Sequence, residues 1–387
     1  MRIALFSWET LHSIAVGGVG VHVTELGAAL ERRGHEVHVF TRQGHGQPHY
    51  DCVHGVHYHR CPFPLHPSFV DEVNNMCRSF VHHFYGVEDH VGRFDVVHAH
   101  DWLASNAAVW IKEGRGRRAV LTMHSTEYGR NGNRFHGGQS VRVQDHERHG
   151  TYCADRVITV SNQLKEEIKW LYQVPDHKAR MIYNGVNAAS FDYDVDPGAV
   201  KARYAIGPLD PTVLFAGRMV VQKGPDILAR TMPSVLRFYP NAKYVFAGDG
   251  HLRGEVCAIA HQQGTAHALR MLGDRRGREL LDLVKAGDVV AVPSRNEPFG
   301  IVILEGWSAW KPVVSTKRGG PAEFVWHGVN GLQVDDTPDS VAWGLGTLLA
   351  DHGRCCWMGR NGRAAVDAAF SWDNIAQQTE EVYASVA

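Results

Sequence analysis

The stretch Pro293 to Gly331 sets the tightest limit on what this chain can fold into. Glu297 and Glu305 flank a Pro298-Phe299-Gly300 step and a short apolar run. A helix that starts near Phe299 or Gly300 leaves Glu297 in the loop before it and puts Glu305 inside it. The first N–H groups of that helix, from Gly300 and Ile301, lack intrahelical partners and sit at the positive end of the helix dipole, which suits a phosphate or a sugar hydroxyl. A second glycine turn, Gly319-Gly320-Pro321, follows the apolar run Pro312 to Ser315 and opens another helix. Two neighbouring strand-to-helix crevices with polar loops describe one edge of a ligand cleft over a parallel sheet.

The amino terminus carries the same grammar. Arg2 to Trp8 reads as a buried strand, Gly17-Gly18-Val19-Gly20 as a turn, Val21 to Arg33 as an amphipathic helix, and Glu36 to Thr41 as the next strand. That is a βαβ unit with a right-handed crossover. It departs from the dinucleotide-binding fingerprint, because the loop is long and Thr41-Arg42 stands where an acidic residue would close strand two, so a dehydrogenase is disfavoured. Residues 52 to 67 read as irregular and 69 to 92 as a helix. Strands follow at Phe94 to Ala99, Val120 to His124, Arg156 to Val160 and Met181 to Tyr183. Two of them end in histidine-bearing groups, His98-Ala99-His100-Asp101-Trp102 and His124-Ser125-Thr126-Glu127. Chemistry collects at that edge of such sheets, so His124 is a ligand-facing candidate. Ser161 is placed to cap a helix over Gln163 to Leu171.

The polar, proline-bearing segment 188 to 211 reads as a linker, after which the pattern restarts. Strands are expected at Thr212 to Ala216, Lys243 to Ala247, Leu269 to Leu272 and Val289 to Val292, and a last helix at Asn374 to Val386 after the Ser371 cap. A chain of 387 residues favours two domains. The expected architecture is therefore two α/β lobes, each a parallel sheet with covering helices, across a cleft.

Composition removes several classes of function. A formal net charge of −1 argues against a nucleic-acid binder. The first apolar run is broken at Glu9, unlike a signal peptide, and no window of about 18 apolar residues could span a membrane. Peripheral membrane contact stays open, as does the oligomeric state. Seven cysteines without a CxxC pair fit a reducing cytoplasm. The 25 histidines are scattered without a metal-ligand motif.

Arg218 and Lys223 follow a strand around a glycine-bearing loop, where two cations would hold a diphosphate and take up charge as a bond to it breaks. Neither belongs to a Walker sequence. Glu305 has the reach for a ribose diol, and Glu297 for hydroxyls of a transferred group. No carboxylate pair brackets a reacting bond as in hydrolases, and no D-x-D run follows a strand to hold a metal.

Glu297 and Glu305 in E-x7-E spacing, Gly217-Arg218 with Lys223-Gly224, the Gly17-Gly18 loop and the closing Phe370-Ser371-Trp372 helix occur in the order seen in one family. The chain resembles the retaining glycosyltransferases that include sucrose synthase, glycogen-type synthases and many bacterial hexosyltransferases, known as glycosyltransferase family 4. The resemblance implies the GT-B fold: an acceptor-binding lobe over 1–187, a linker over 188–211, a nucleotide-sugar-binding lobe over 212–370, and a helix over 371–387 crossing back to the first lobe.

It also implies site roles. Arg218 and Lys223 would hold the donor diphosphate, Glu305 the ribose, and Glu297 with the Phe299-Gly300-Ile301 backbone the sugar. His124 would sit beside the donor sugar, Gly17 and Gly18 near the phosphates, and Arg275 in the loop that reads the base. The implied reaction is metal-independent hexosyl transfer with retention, UDP- or ADP-glucose being the favoured donor, to a sugar, phosphosugar or α-glucan. No cofactor is implied. Alternatives are a GDP-mannose or other nucleotide-hexose transferase acting on a lipid or polysaccharide, or a disaccharide phosphorylase of the same fold. The chain differs from α-glucan synthases in having Val16 where they often carry lysine, and Gly306-Trp307 where Ala-Met commonly follows the second glutamate.

Overall fold

Fourteen strands form two sheets among residues 1–386, which the computed structural model describes. The chain divides into two units. One comprises Met1–Tyr128, Arg134–Asn184 and the segment from Trp372 onward; the other comprises Gly129–Asn133 and Gly185–Ser371.

The first unit contains β1 (Arg2–Ser7), β2 (Glu36–Arg42), β3 (Tyr50–Val53), β4 (Val56–Cys61), β5 (Val96–His100), β6 (Arg118–Met123), β7 (Arg156–Thr159) and β8 (Ala179–Met181). Their order is β3-β4-β2-β1-β5-β6-β7-β8, parallel throughout except for β3 against β4. Buried β-branched and aromatic residues explain the central strands, as in β1, where Ile3 to Phe6 are fully buried. The crossover helices Gly18–Arg32, Phe69–Val91 and Trp102–Arg115 then cover the sheet.

Three expectations need correction here. Residues 52 to 67 are not irregular: β3 and β4 form a hairpin around His54-Gly55, both with positive φ. The alternation of β4 is hidden because its second face is histidine, and these imidazoles pack as flat rings. His57 stacks on His38 at 4.5 Å and His59 on Phe40 at 4.7 Å. The helix Trp102–Arg115 had no counterpart in the sequence reading, and β8 ends at Met181, where the reading began a strand. Ser161 caps as expected, its Oγ accepting the Leu164 N–H at 3.1 Å.

The helix Trp372–Ala384 packs in the core of this unit, with Trp372, Ile375, Ala376 and Tyr383 buried beside Leu26, Leu30 and Val37. Burial of each large side chain is worth about 2 kcal/mol. Arg33 and His35 both pair with Glu380 from the same helix. His98, wholly buried, bonds Tyr383 Oη and Thr122 Oγ1, each at 2.7 Å, so both ring nitrogens are satisfied.

The second unit contains β9 (Thr212–Ala216), β10 (Lys243–Ala247), β11 (Leu269–Gly273), β12 (Val289–Val292), β13 (Val313–Thr316) and β14 (Leu332–Val334). All are parallel, in the order β11-β10-β9-β12-β13-β14. The order reverses next to β9, so the turns after β9 and β12 lie at the switch point of the sheet, where α/β folds bind ligands. Residues 188 to 211 pack into this unit, with Phe191, Val200 and Ile206 buried and Lys201 bonded to Asp288 at 2.9 Å. Among the described residues no helix is long and apolar enough to cross a membrane.

Candidate active site

In the second unit the helix Ile301–Ser308 begins where the sequence places it, after Gly300 in a left-handed conformation with φ 93°. Glu297 lies in the preceding loop and Glu305 in the helix. The loop is clamped to the turn after β13: Glu297 N–H donates to Arg318 O at 3.0 Å, and Gly320 N–H donates to Glu297 O at 2.8 Å. A Cβ on Gly319 would stand 2.0 Å from Glu297 O, and its φ is 96°. Only glycine meets both demands. The two glycine turns noted in the sequence are thus one structure.

The Glu297 carboxylate is buried, with 3% of the residue exposed. Lys223 Nζ approaches its two oxygens at 2.7 and 2.8 Å, and Ser294 Oγ donates to Oε2 at 2.9 Å. Lys223 is therefore the ion-pair partner of Glu297 as well as a candidate phosphate ligand. A second pair fixes the same loops: Arg295 grips Asp226 in a fork at 2.8 and 2.6 Å, while its own N–H donates to Gln222 O. Arg218 occupies an exposed position directly after β9. Arg275, in the turn after β11, pairs with Glu279 at 2.8 Å.

Glu305 differs from Glu297 in having no ion-pair partner among the described residues. Burial pushes its carboxyl up to about 7. Its neighbours account for the departure at Gly306-Trp307. Trp307 is fully buried, donates Nε1–H to Asn330 O at 2.8 Å and meets Phe324 edge-on. A Cβ on Gly306 would crowd Val290 at 3.1 Å, and one on Gly362 would stand 2.2 Å from the Trp307 ring. A large residue beside two glycines fills this layer.

In the first unit, the helix Gly18–Arg32 opens at the glycine turn. Glu9, buried behind it, accepts the N–H groups of Val16 and Gly17. The Gly17 amide, expected at the donor phosphates, thus already has a carboxylate partner. His124 follows β6 with its ring half-buried, and burial holds it down at about 3, a neutral imidazole. Its backbone N–H donates to Asp101 Oδ1 at 2.7 Å. Asp101 is buried and adopts φ 58°, a conformation strained for a non-glycine residue, at the junction of β5 and the next helix, where its side chain makes no capping hydrogen bond.

Sequence reasoning singled out the His98 to Trp102 group without assigning roles within it, and it missed His22, Ser294, Asp226 and Arg295. His22 carried a faint signal, as the fifth residue of a helix opening at a glycine turn. The others are visible only through their partners.

Comparison with known proteins identifies the family. Residues 16–190 match the model described as Glycosyltransferase Family 4, and residues 200–365 that described as Glycosyl transferases group 1. An uncharacterised glycosyltransferase of Methanocaldococcus jannaschii is 38% identical over 99% of this chain and 98% of its own. A glycogen synthase of Mycobacterium tuberculosis is 30% identical over 99% and 94%. The structure of a sucrose-phosphate synthase from Thermosynechococcus elongatus superposes with a TM-score of 0.85 at 24% identity, covering 99% of this chain and 98% of that one. The two Rossmann-like sheets, the clamped E-x7-E loop and the agreement along almost the whole length of these relatives lead to one conclusion: the chain belongs to glycosyltransferase family 4 and is a glycosyltransferase of the GT-B fold.

Proposed function

We propose that the protein transfers a glucosyl unit, with retention at the anomeric carbon, from UDP- or ADP-glucose to a sugar, phosphosugar or α-glucan acceptor. The observation that carries this reading is the Lys223–Glu297–Ser294 cluster at the start of the helix bearing Glu305. An ammonium already held at a helix start, with exposed Arg218 nearby in sequence, supplies positive charge for a leaving diphosphate without a proton donor. Glu297, paired with Lys223, is suited to accept sugar hydroxyls, and the Phe299-Gly300-Ile301 backbone belongs to the same loop. Glu305, about half ionised near neutrality, is suited to accept a ribose diol in its carboxylate form. His124, neutral at physiological pH, is assigned to the donor sugar by resemblance, as a hydrogen-bonding partner and not as a cation. Gly17, Gly18 and Arg275 are assigned to donor contacts by resemblance alone.

Retention follows from a front-face route, in which the leaving phosphate takes the proton of the attacking hydroxyl while the anomeric bond breaks. Support comes from the relatives: the sucrose-phosphate synthase and the glycogen synthase carry in their names a phosphosugar product and an α-glucan product. The test begins with calorimetric titration of UDP, ADP, GDP and inorganic phosphate without metal. The preferred donor is then supplied with glucose 6-phosphate, fructose 6-phosphate and short maltodextrins, and the anomeric configuration of the product is read by NMR. An α-linked product is expected. A β-linked product, or binding of phosphate with no nucleoside diphosphate, would overturn the reading.

A further inference from the structure

Three imidazoles converge in the first unit from elements far apart in the chain. His22 comes from the helix Gly18–Arg32, His100 from the last position of β5, and His124 from the turn after β6. One ring nitrogen from each lies within 4.8 Å of the others. His100 Nδ1 and His124 Nε2 are 3.2 Å apart, and the His22 ring stands edge-on to that of His124 with centroids at 4.6 Å. Nitrogen ligands about 2.0 Å from a tetrahedral cation stand about 3.3 Å from one another, so the closest pair already has the span a metal requires.

The hydrogen bonding around the group prepares lone pairs. Asn184 Oδ1, 2.7 Å from His22 Nδ1, accepts the proton there and leaves Nε2 as the basic nitrogen. This is how an outer partner orients a metal-binding histidine. His22 Nε2 is buried and finds no hydrogen-bond partner among the described residues. Leaving such a nitrogen unmet is costly, so the pocket is built to receive a ligand. Asp101 anchors the His124 main chain by accepting its backbone N–H. Trp372 closes another side, its ring edge-on to His22 at 5.3 Å.

We propose that His22, His100 and His124 form a three-nitrogen site for a zinc-class divalent cation, with the fourth position open to solvent or a hydroxyl. Neutral nitrogen donors without oxygen select against magnesium and calcium and suit zinc, cobalt, nickel or copper. An open position beside three histidines is the arrangement of a site that exchanges its fourth ligand. The diphosphate chemistry proposed for Arg218 and Lys223 calls for no metal, and of the residues proposed to bind the donor the site uses only His124. Its regulatory consequence rests on the role proposed for His124: a cation that takes His124 Nε2 removes that residue from the donor sugar, so zinc should inhibit turnover.

The test uses tag-free, chelator-treated full-length protein. Titration with Co2+ should show one equivalent bound with the intense visible bands of four-coordinate cobalt, displaced by Zn2+. His22→Gln and His100→Gln should abolish those bands, and Asn184→Ala should weaken zinc binding about tenfold while keeping all three ligands. Because His22 and His100 are buried and their variants could unfold, zinc-edge anomalous diffraction from soaked wild-type crystals provides a readout free of mutation. A peak among the three rings is expected. No stoichiometric cobalt binding, unchanged affinity in folded His22→Gln, or a peak at the His38, His57 and His59 stack instead would overturn the proposal. None of these measurements involves a sugar, so they stand or fall independently of the transferase reading.

Discussion

Replacing Glu305 with Gln removes a charge that burial opposes, and the effect must depend on pH. The ordinary glutamate carboxyl titrates at 4.5, and burial moves Glu305 up to about 7. The folded chain therefore binds the proton more tightly than the unfolded chain, and wild-type stability falls as pH rises from the lower value through the upper one. At about 1.4 kcal/mol per pH unit, the full interval is worth roughly 3 kcal/mol, of which about 2.5 kcal/mol accrues between pH 5 and pH 8. The Gln variant has no such loss. Every other titrating group is shared by the two proteins, so the difference between them isolates Glu305. Urea unfolding at pH 5 and pH 8 measures it, with fluorescence of Trp307, buried in the same helix, contributing to the signal. The second-unit transition of Glu305→Gln should gain about 2.5 kcal/mol on wild type between those pH values. A difference that stays constant with pH would refute the assignment of a raised carboxyl. On the proposed reading the same variant weakens nucleoside diphosphate binding above pH 7, where the wild-type carboxylate is formed.

Three further outcomes are expected. Lys223→Met strands the buried Glu297 carboxylate with Ser294 as its remaining partner and should cost about 3–5 kcal/mol. Most of that should return in Lys223→Met with Glu297→Gln, measured by denaturation as a double-mutant cycle, whereas turnover should stay lost in both proteins; additive costs would remove the coupling. Gly319→Ala forces a Cβ to within 2.0 Å of Glu297 O at φ 96° and should destabilise the second unit by about 2–4 kcal/mol in a thermal melt, with loss of nucleotide affinity. Tyr383→Phe leaves His98 Nδ1 buried without its partner and should lower first-unit stability by about 1–3 kcal/mol while nucleotide binding in the second unit is unchanged.

Much of the framework could be read along the chain because it is written in local signals. β10 and β12 lie at the residues the apolar runs marked, and Gly300 starts the helix that separates Glu297 from Glu305. Pro225 and Ser161 stand at the helix starts that their backbone chemistry favours. The hairpin β3–β4 was invisible for an equally local reason: histidine counts as polar in a periodicity argument, yet neutral stacked imidazoles pack like apolar rings.

The chain order of glycine turns, cations and glutamates by itself determined the doubled α/β architecture and the family, because turn geometry and strand burial are properties of a few consecutive residues. Tertiary structure alone decided who partners whom. It made Lys223 the counter-ion of Glu297 across 74 positions, buried Glu305 so that its carboxyl keeps its proton up to about pH 7, and gave the Gly17 amide to Glu9. It also gathered His22, His100 and His124 from three separate elements into one pocket. Charge, proton affinity and ligand geometry depend on distances through space and on exclusion of water, and neither quantity is carried by neighbours in sequence.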